Sequence, residues 1–319
     1  MKYFLMLLTV STLFFAACSN NDAKFLQATQ LVKENKLEAA LKIYNNILRK
    51  DPDYISALIN RALIYSRLGE TKLAIADYSK ALTLAPNQPN LLNNVGSFYL
   101  DQGSAEFARN YLTKAINIDP EYTIAYINRA KANMLLNKYQ DAENDLNMAL
   151  SLDPENLDIV LLRANLDYER HHFRDALDGY SEVLASRPQD YLTWYKRGRT
   201  FRMLGAYQNA FNDFNTALSI NDAYVPAIYE RAEMLFYKND YEAALADLNV
   251  LKSIDNKHAP AYDFSGDIYA IEDPIKAASN YIVARKLDPE NKKRYDAKIK
   301  LMASEKGRKA VIKKRLERI

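Results

Sequence analysis

The sequence predicts an all-α solenoid of about eight helix-turn-helix units, and three observations carry that prediction. A 34-residue unit, cleanest from Ile55 to Gln88, is written eight times in succession from about Asn21 to Asn291. Pro52, Pro86, Pro120, Pro154 and Pro188 close successive units at that same spacing. Within each unit the apolar residues recur in two runs at helical spacing, with no strand signal, which makes two amphipathic helices per repeat. The repeats start at Asn21, Ile55, Pro89, Thr123, Leu157, Tyr191, Val225 and Ala259.

Counted from those starts, position 8 is always small: Ala28, Ala62, Gly96, Ala130, Ala164, Gly198, Ala232 and Gly266. Position 20 is always alanine: Ala40, Ala74, Ala108, Ala142, Ala176, Ala210 and Ala244, with Ala277 one residue early because the eighth repeat has lost a residue near Glu272. Position 24 is large and apolar: Tyr44, Tyr78, Leu112, Leu146, Tyr180, Phe214, Leu248 and Tyr281. These sizes predict that the paired axes approach most closely at positions 8 and 20, with position 24 filling the space beside them. Overpacking such a contact costs about 1–3 kcal/mol, against about 1 kcal/mol for glycine over alanine inside a helix, so the small residue is favoured. Position 15 carries Asn35, Gly69, Gly103, Asn137, His171, Gly205 and Asn239, types that tolerate the left-handed conformation ending a helix, and positive φ is predicted at each. Nine of the ten prolines lie at repeat boundaries and Pro274 lies in the turn of the eighth repeat, so none interrupts a helix.

This pattern resembles the tetratricopeptide repeat, a helix-turn-helix of the same length with small residues at these positions and a closing proline. The resemblance implies a right-handed superhelical solenoid, one continuous array over residues 23–291, with a C-terminal capping helix in the basic segment 292–319. The eighth repeat departs by its deletion, and Asp222 and Asn256 stand where repeats six and seven would close with proline. In such arrays the first helix of each unit lines a concave surface that holds a protein or an extended peptide, without catalysis or cofactor. Carried onto this sequence, early repeats offer Ile59, Leu63, Asn93, Ser97 and Asp101, and later ones Tyr168, Tyr195, Arg199, Arg202, Tyr229, Glu233, Phe236 and Tyr237. Aromatics and arginine are the types most enriched at binding hot spots, so repeats five to seven are the expected partner-binding groove. The same rings could instead pack against neighbouring helices, and a tyrosine-rich groove could also take a glycan or cell-wall fragment. The Lys/Asn carboxylate clamp of chaperone-binding relatives is not matched.

The N-terminus reads differently. Residues 1–17 have one basic residue, Lys2, then an apolar run and small residues before Cys18, the pattern of a signal peptide whose run is too short to span a bilayer. Cys18, the only cysteine, follows Ala16-Ala17 and resembles a bacterial lipobox, with Phe15 where leucine is usual. That resemblance implies acylation of Cys18, a lipidated tether over residues 18–22 and, with Ser19 next, an anchor compatible with the outer membrane.

Charge follows the repeat. Position 7 is arginine in five repeats, as Arg61, Arg129, Arg163, Arg197 and Arg231. Position 23 is aspartate in four of them, as Asp77, Asp145, Asp213 and Asp247, and Gly179 in the fifth. Partly buried Arg–Asp pairs are expected, within a repeat or between neighbours. From Lys292 to Ile319 twelve Lys or Arg face three Asp or Glu, a net of +9 in a chain of +3, which leaves −6 on residues 1–291. Tyr295, Ile299 and Met302 should cover the last repeat, and residues 308–319 read either as a solvated end or as a contact for an anionic surface. No phosphate loop or metal motif occurs; His171 and His172 are adjacent and cannot face one metal from a helix. The acidic balance of the array argues against nucleic acid, and no pair of carboxylates stands out as acid and base.

Overall fold

The computed structural model describes residues 21–317, so the signal-peptide and Cys18 expectations lie outside the described residues. All regular structure among them is helical. The chain divides into two compact bodies, one ending at Ile159 and the other starting at Val160. The first holds α1 (21–33), α2 (Leu37–Lys50), α3 (Ile55–Arg67), α4 (Thr71–Leu84), α5 (Pro89–Asp101), α6 (Ala105–Ile118), α7 (Thr123–Leu135) and α8 (Tyr139–Leu152). The boundary falls inside α9 (Leu157–Glu169), and the second body continues with α10 (Phe173–Ser186), α11 (Tyr191–Met203), α12 (Tyr207–Ile220), α13 (Val225–Tyr237), α14 (Tyr241–Ile254), α15 (Ala259–Tyr269) and α16 (Pro274–Leu287). A 3-10 turn at Pro289–Asn291 leads to α17 (Lys292–Leu301) and α18 (Glu305–Leu316). Residues 21 and 22, expected in a tether, are already helical, and Asp22 accepts a hydrogen bond from Tyr54.

The turn chemistry explains why each repeat bends where it does. Positive φ occurs at Asn35, Gly69, Gly103, Asn137, His171, Gly205 and Asn239, the predicted residues. At each, the next N–H reaches back to a carbonyl five residues earlier, as Glu70 to Tyr65 (2.8 Å) and Lys138 to Asn133 (2.8 Å), which satisfies carbonyls a helix end would otherwise orphan. The second helices α2, α4, α6, α8, α10 and α12 start without a side-chain cap. The eighth repeat, one residue short, has no such turn; α15 ends early, and Asp273 caps α16 instead by accepting from the Lys276 N–H.

The small positions are buried throughout: every alanine of position 20 is fully inaccessible. Their immediate neighbour is more specific than the sequence suggests. A Cβ on Gly96 would lie 2.6 Å from Leu112 Cγ, one on Gly198 2.7 Å from Phe214 Cε1, and one on Gly266 2.4 Å from Tyr281 Cε1. In these three repeats position 8 is thus seated directly against the large residue of position 24, and glycine makes the room.

Candidate functional site

Four arginines of position 7 form bidentate bonds to the aspartate sixteen residues on, in the second helix of their own repeat. Arg61 reaches Asp77 at 2.6 Å and 2.7 Å, and Arg231 reaches Asp247 at 2.6 Å and 2.8 Å. The remaining nitrogen, Nη1, donates to the preceding repeat: Arg61 to Asn45 (2.7 Å), Arg129 to Thr113 (3.2 Å), Arg197 to Ser181 (3.1 Å) and Arg231 to Asn215 (3.1 Å). Each guanidinium therefore bolts a helix pair together and ties it to the previous pair. Arg163 is exposed; opposite it Gly179 lies so close to Ala164 that an added Cβ would come within 2.8 Å of the alanine Cβ, leaving no space for aspartate. The four paired arginines are structural.

The predicted groove residues separate into four groups. Phe236 is fully buried, packed on Tyr241 (5.4 Å) and Phe264 (5.5 Å), so it belongs to the core and not to a partner surface. Its position 12 turns inward here because α13 is covered on that side by α14 and α15. Tyr168, Tyr195 and Arg199 come together on α9 and α11. The Arg199 guanidinium lies 5.2 Å from the Tyr168 ring centre and 5.9 Å from that of Tyr195. A small cavity of about 90 Å³ opens there, lined by Asn165, Tyr168, Glu169, Tyr180, Lys196 and Arg199. Burial pushes the Lys196 ammonium down from its ordinary value, and Arg199 Nε has no hydrogen-bond partner among the described residues. Tyr195 also packs on Phe214 and Tyr224, and burial raises its hydroxyl to about 12. Tyr237 is exposed and pairs with Tyr207 at 5.1 Å.

Arg202, Tyr229 and Glu233 join an ionic ladder that runs through α11, α13, α15, α17 and α18. Arg202 reaches Glu230 (3.3 Å) and Glu233 Oε2 (3.0 Å). Glu233 Oε1 and the Tyr229 hydroxyl both accept from Arg315 Nη2 at 2.9 Å. Arg315 lies 3.6 Å from Asp267 and stacks 3.7 Å from the Phe264 ring centre; it is 4 % exposed. Asp267 in turn accepts from Lys298 (2.5 Å) and Tyr281 (2.8 Å), and Asp263 from Lys298 (2.6 Å) and Arg294. Burial raises the carboxyls of Glu230 and Asp267 against the pull of Arg202 and Lys298 respectively. Burial works against the charge on Arg315, and Tyr229, Asp267 and Glu233 outweigh it.

The C-terminal segment thus differs from a solvated end. Tyr295 and Met302 are buried against the last repeat, as predicted of a cap, but α18 goes further and inserts an arginine among first-helix residues. The sequence reading missed Glu230, Asp263, Asp267, Lys298 and Arg315. Asp263 and Asp267 occupy positions 5 and 9 of the eighth repeat, so extending the groove positions one repeat further would have found them. Among the described residues no cluster of metal-ligating side chains occurs, and no helix is long and apolar enough to cross a membrane.

The comparisons with known proteins agree with this architecture. Family models described as tetratricopeptide repeat match residues 55–88, 89–122, 124–156 and 161–226. The chain belongs to the tetratricopeptide repeat family, a fold that commonly serves as a protein–protein interaction scaffold. A tetratricopeptide repeat protein from Parabacteroides merdae is similar at TM-score 0.61 and 20% identity, over 77% of this chain and 97% of that one. PilF of Pseudomonas aeruginosa is similar at TM-score 0.58 and 20% identity, over 68% and 97%. Yeast Tom70 is similar at 0.57 and 19%, over 84% and 59%. At these identities the likeness is one of fold. Comparison with curated proteins gives no match.

Proposed function

We propose that this protein is a non-catalytic scaffold, held by a lipid on Cys18 in a bacterial envelope, that binds a protein or an extended peptide on its first-helix face. The observation that carries the binding reading is the Tyr168–Tyr195–Arg199 cluster with Lys196 beside it. Two cations flank a small cavity walled by Tyr168, Tyr180, Asn165 and Glu169, and the buried Arg199 Nε makes no hydrogen bond among the described residues, only a 3.9 Å ion pair to Glu230. That combination favours a carboxylate-bearing segment, since a charged acceptor would satisfy the guanidinium and offset the burial of Lys196. A wall glycan has less support, because Tyr195 and Tyr229 already pack on neighbouring rings. The lysines on the outer side of α18, Lys306, Lys309, Lys313 and Lys314, are exposed and suited to an anionic surface.

Photo-crosslinking from Tyr195 in intact cells tests the binding reading. A discrete protein adduct, lost when Arg199→Glu is combined with the crosslinker, is the expected result. Recovery of uncrosslinked protein alone would count against it.

A further inference from the structure

We propose that the pocket formed by Tyr229, Glu233, Phe264 and Asp267 is a receptor for a basic amphipathic helix that presents an arginine, and that α18 is its resident ligand, displaced by such a helix of a partner protein. This inference rests on the scaffold reading above and names a second partner class at a different place on the same face.

Four observations converge. First, α18 is held by a thin stripe: Gly307, Val311 and Arg315, each four residues apart, are its buried residues, while most of the helix is exposed. Three anchors on one helix face are how a helix seats in a groove; here Val311 meets the cluster of Ala270, Tyr281 and Met302, and Ile312 lies partly against that of α13 to α15. Second, the deepest anchor is polar. Arg315 donates twice from one nitrogen, Nη2, and lays its guanidinium on the Phe264 ring, and that planar stacking is what selects arginine over lysine. Third, the pocket stays internally paired without α18. Glu233 keeps Arg202 on its other oxygen, and Asp267 keeps Lys298 and Tyr281. Only Glu233 Oε1, the Tyr229 hydroxyl and Asp267 Oδ2 would turn to water, so departure of α18 leaves a formed acidic pocket and not a collapsed one. Fourth, the fit of α18 is incomplete. A cavity of about 340 Å³ lies along it, walled in part by Ala297, Leu301, Ala310 and Val311. A helix with a larger apolar residue at the place of Ala310 would fill that space better than the resident one.

The geometry also says why the pocket would be selective. The short connection after Leu301 keeps α18 at high effective concentration. Only a helix with the right arginine and a better apolar fit competes with it.

The test uses full-length protein and a fluorescein-labelled peptide of residues 303–317. Arg315→Ala should empty the pocket, so the peptide should bind that variant at least about ten-fold tighter than wild type. Adding Glu233→Gln should return binding to the wild-type level. A peptide with Ala310→Leu should bind more tightly still, and one with Arg315→Lys about ten-fold more weakly. Equal affinity for wild type and Arg315→Ala, or equal binding of the arginine and lysine peptides, overturns the proposal. Should Arg315→Ala lose native helicity by circular dichroism, hydrogen exchange on wild type decides. Saturating unlabelled Ala310→Leu peptide should speed exchange at residues 305–317, and no change overturns the proposal. None of these outcomes depends on the Tyr195 adduct, so the two readings fail separately.

Discussion

At the scale of single residues, similar letters at equivalent repeat positions carry different energies. Asp145 is almost inaccessible and accepts from Arg129 and from Asn133 Nδ2 (2.9 Å), itself buried. Asp145→Ala removes the partner of both, and a cost of about 3–5 kcal/mol is expected in urea denaturation. Arg163, at the repeat position of Arg129 but exposed and facing Gly179, should tolerate alanine within about 0.5 kcal/mol. Glycine shows the same dependence on surroundings. Gly266→Ala would push against the Tyr281 ring, whose hydroxyl is held by Asp267, so the ring cannot swing aside freely. A loss of about 1–3 kcal/mol is expected there despite the better helix propensity of alanine. Gly96→Ala meets Leu112, a flexible side chain, and should cost less in the same assay.

At the scale of elements, helix ends decide pH sensitivity. The α15 N-terminus is capped by His258, whose Nδ1 accepts from the Ala261 N–H at 3.2 Å. Burial lowers the His258 pKa, opposed by Asp255, and the Tyr229 ring packs against it. Neutral imidazole is the form the fold prefers, so the contribution is present above the ordinary histidine value of about 6.5 and is lost as pH falls through the lower folded value. A cap is worth about 1 kcal/mol. Faster hydrogen exchange at residues 259–262 on acidification towards pH 5.5 is expected, and His258→Asn, which caps without titrating, should abolish that change. An unaltered acid response in the variant would assign the effect to other groups.

At the scale of the molecule, helix pairs within each body pack mainly on their sequence neighbours, and the stability of such arrays is a sum of local terms. Arg61→Ala should therefore loosen α2 to α4 in hydrogen exchange and leave α12 to α14 as in wild type; loosening in both would mean that the array melts as one. The proposed attachment is also tested on the whole chain. Cys18→Ser is expected to move the protein from the membrane fraction to the soluble one, and unchanged fractionation would refute the lipid anchor. One acyl chain holds only marginally, so stable membrane fractionation of the wild type would need two or more chains on Cys18.

Much of the fold was legible because it follows from size and local conformation repeated many times. Alanine at position 20 and the left-handed residues at position 15 report contacts within one helix pair, and eight copies separate that signal from chance. The Arg–Asp pairs were legible from their joint occurrence, but their third bond was not. Asn45, Thr113, Ser181 and Asn215 look like ordinary solvated helix residues until the next repeat is placed beside them. Groove positions were half legible: Tyr168, Tyr195 and Arg199 do meet, whereas Phe236 is core, because one helix face can turn toward a partner or toward the following repeat.

By itself, then, the sequence determined the repeat, its turns and its tight helix pairing, since these need only neighbours in the chain. Tertiary structure alone decided the fate of the basic end. A run of lysines and arginines signals solvation, and nothing local tells which of them will be buried. Arg315 meets Tyr229 and Glu233 across 86 and 82 residues of chain. A guanidinium can leave water only where acceptors are already assembled to receive it, and that assembly exists only after α13, α15 and α17 have packed.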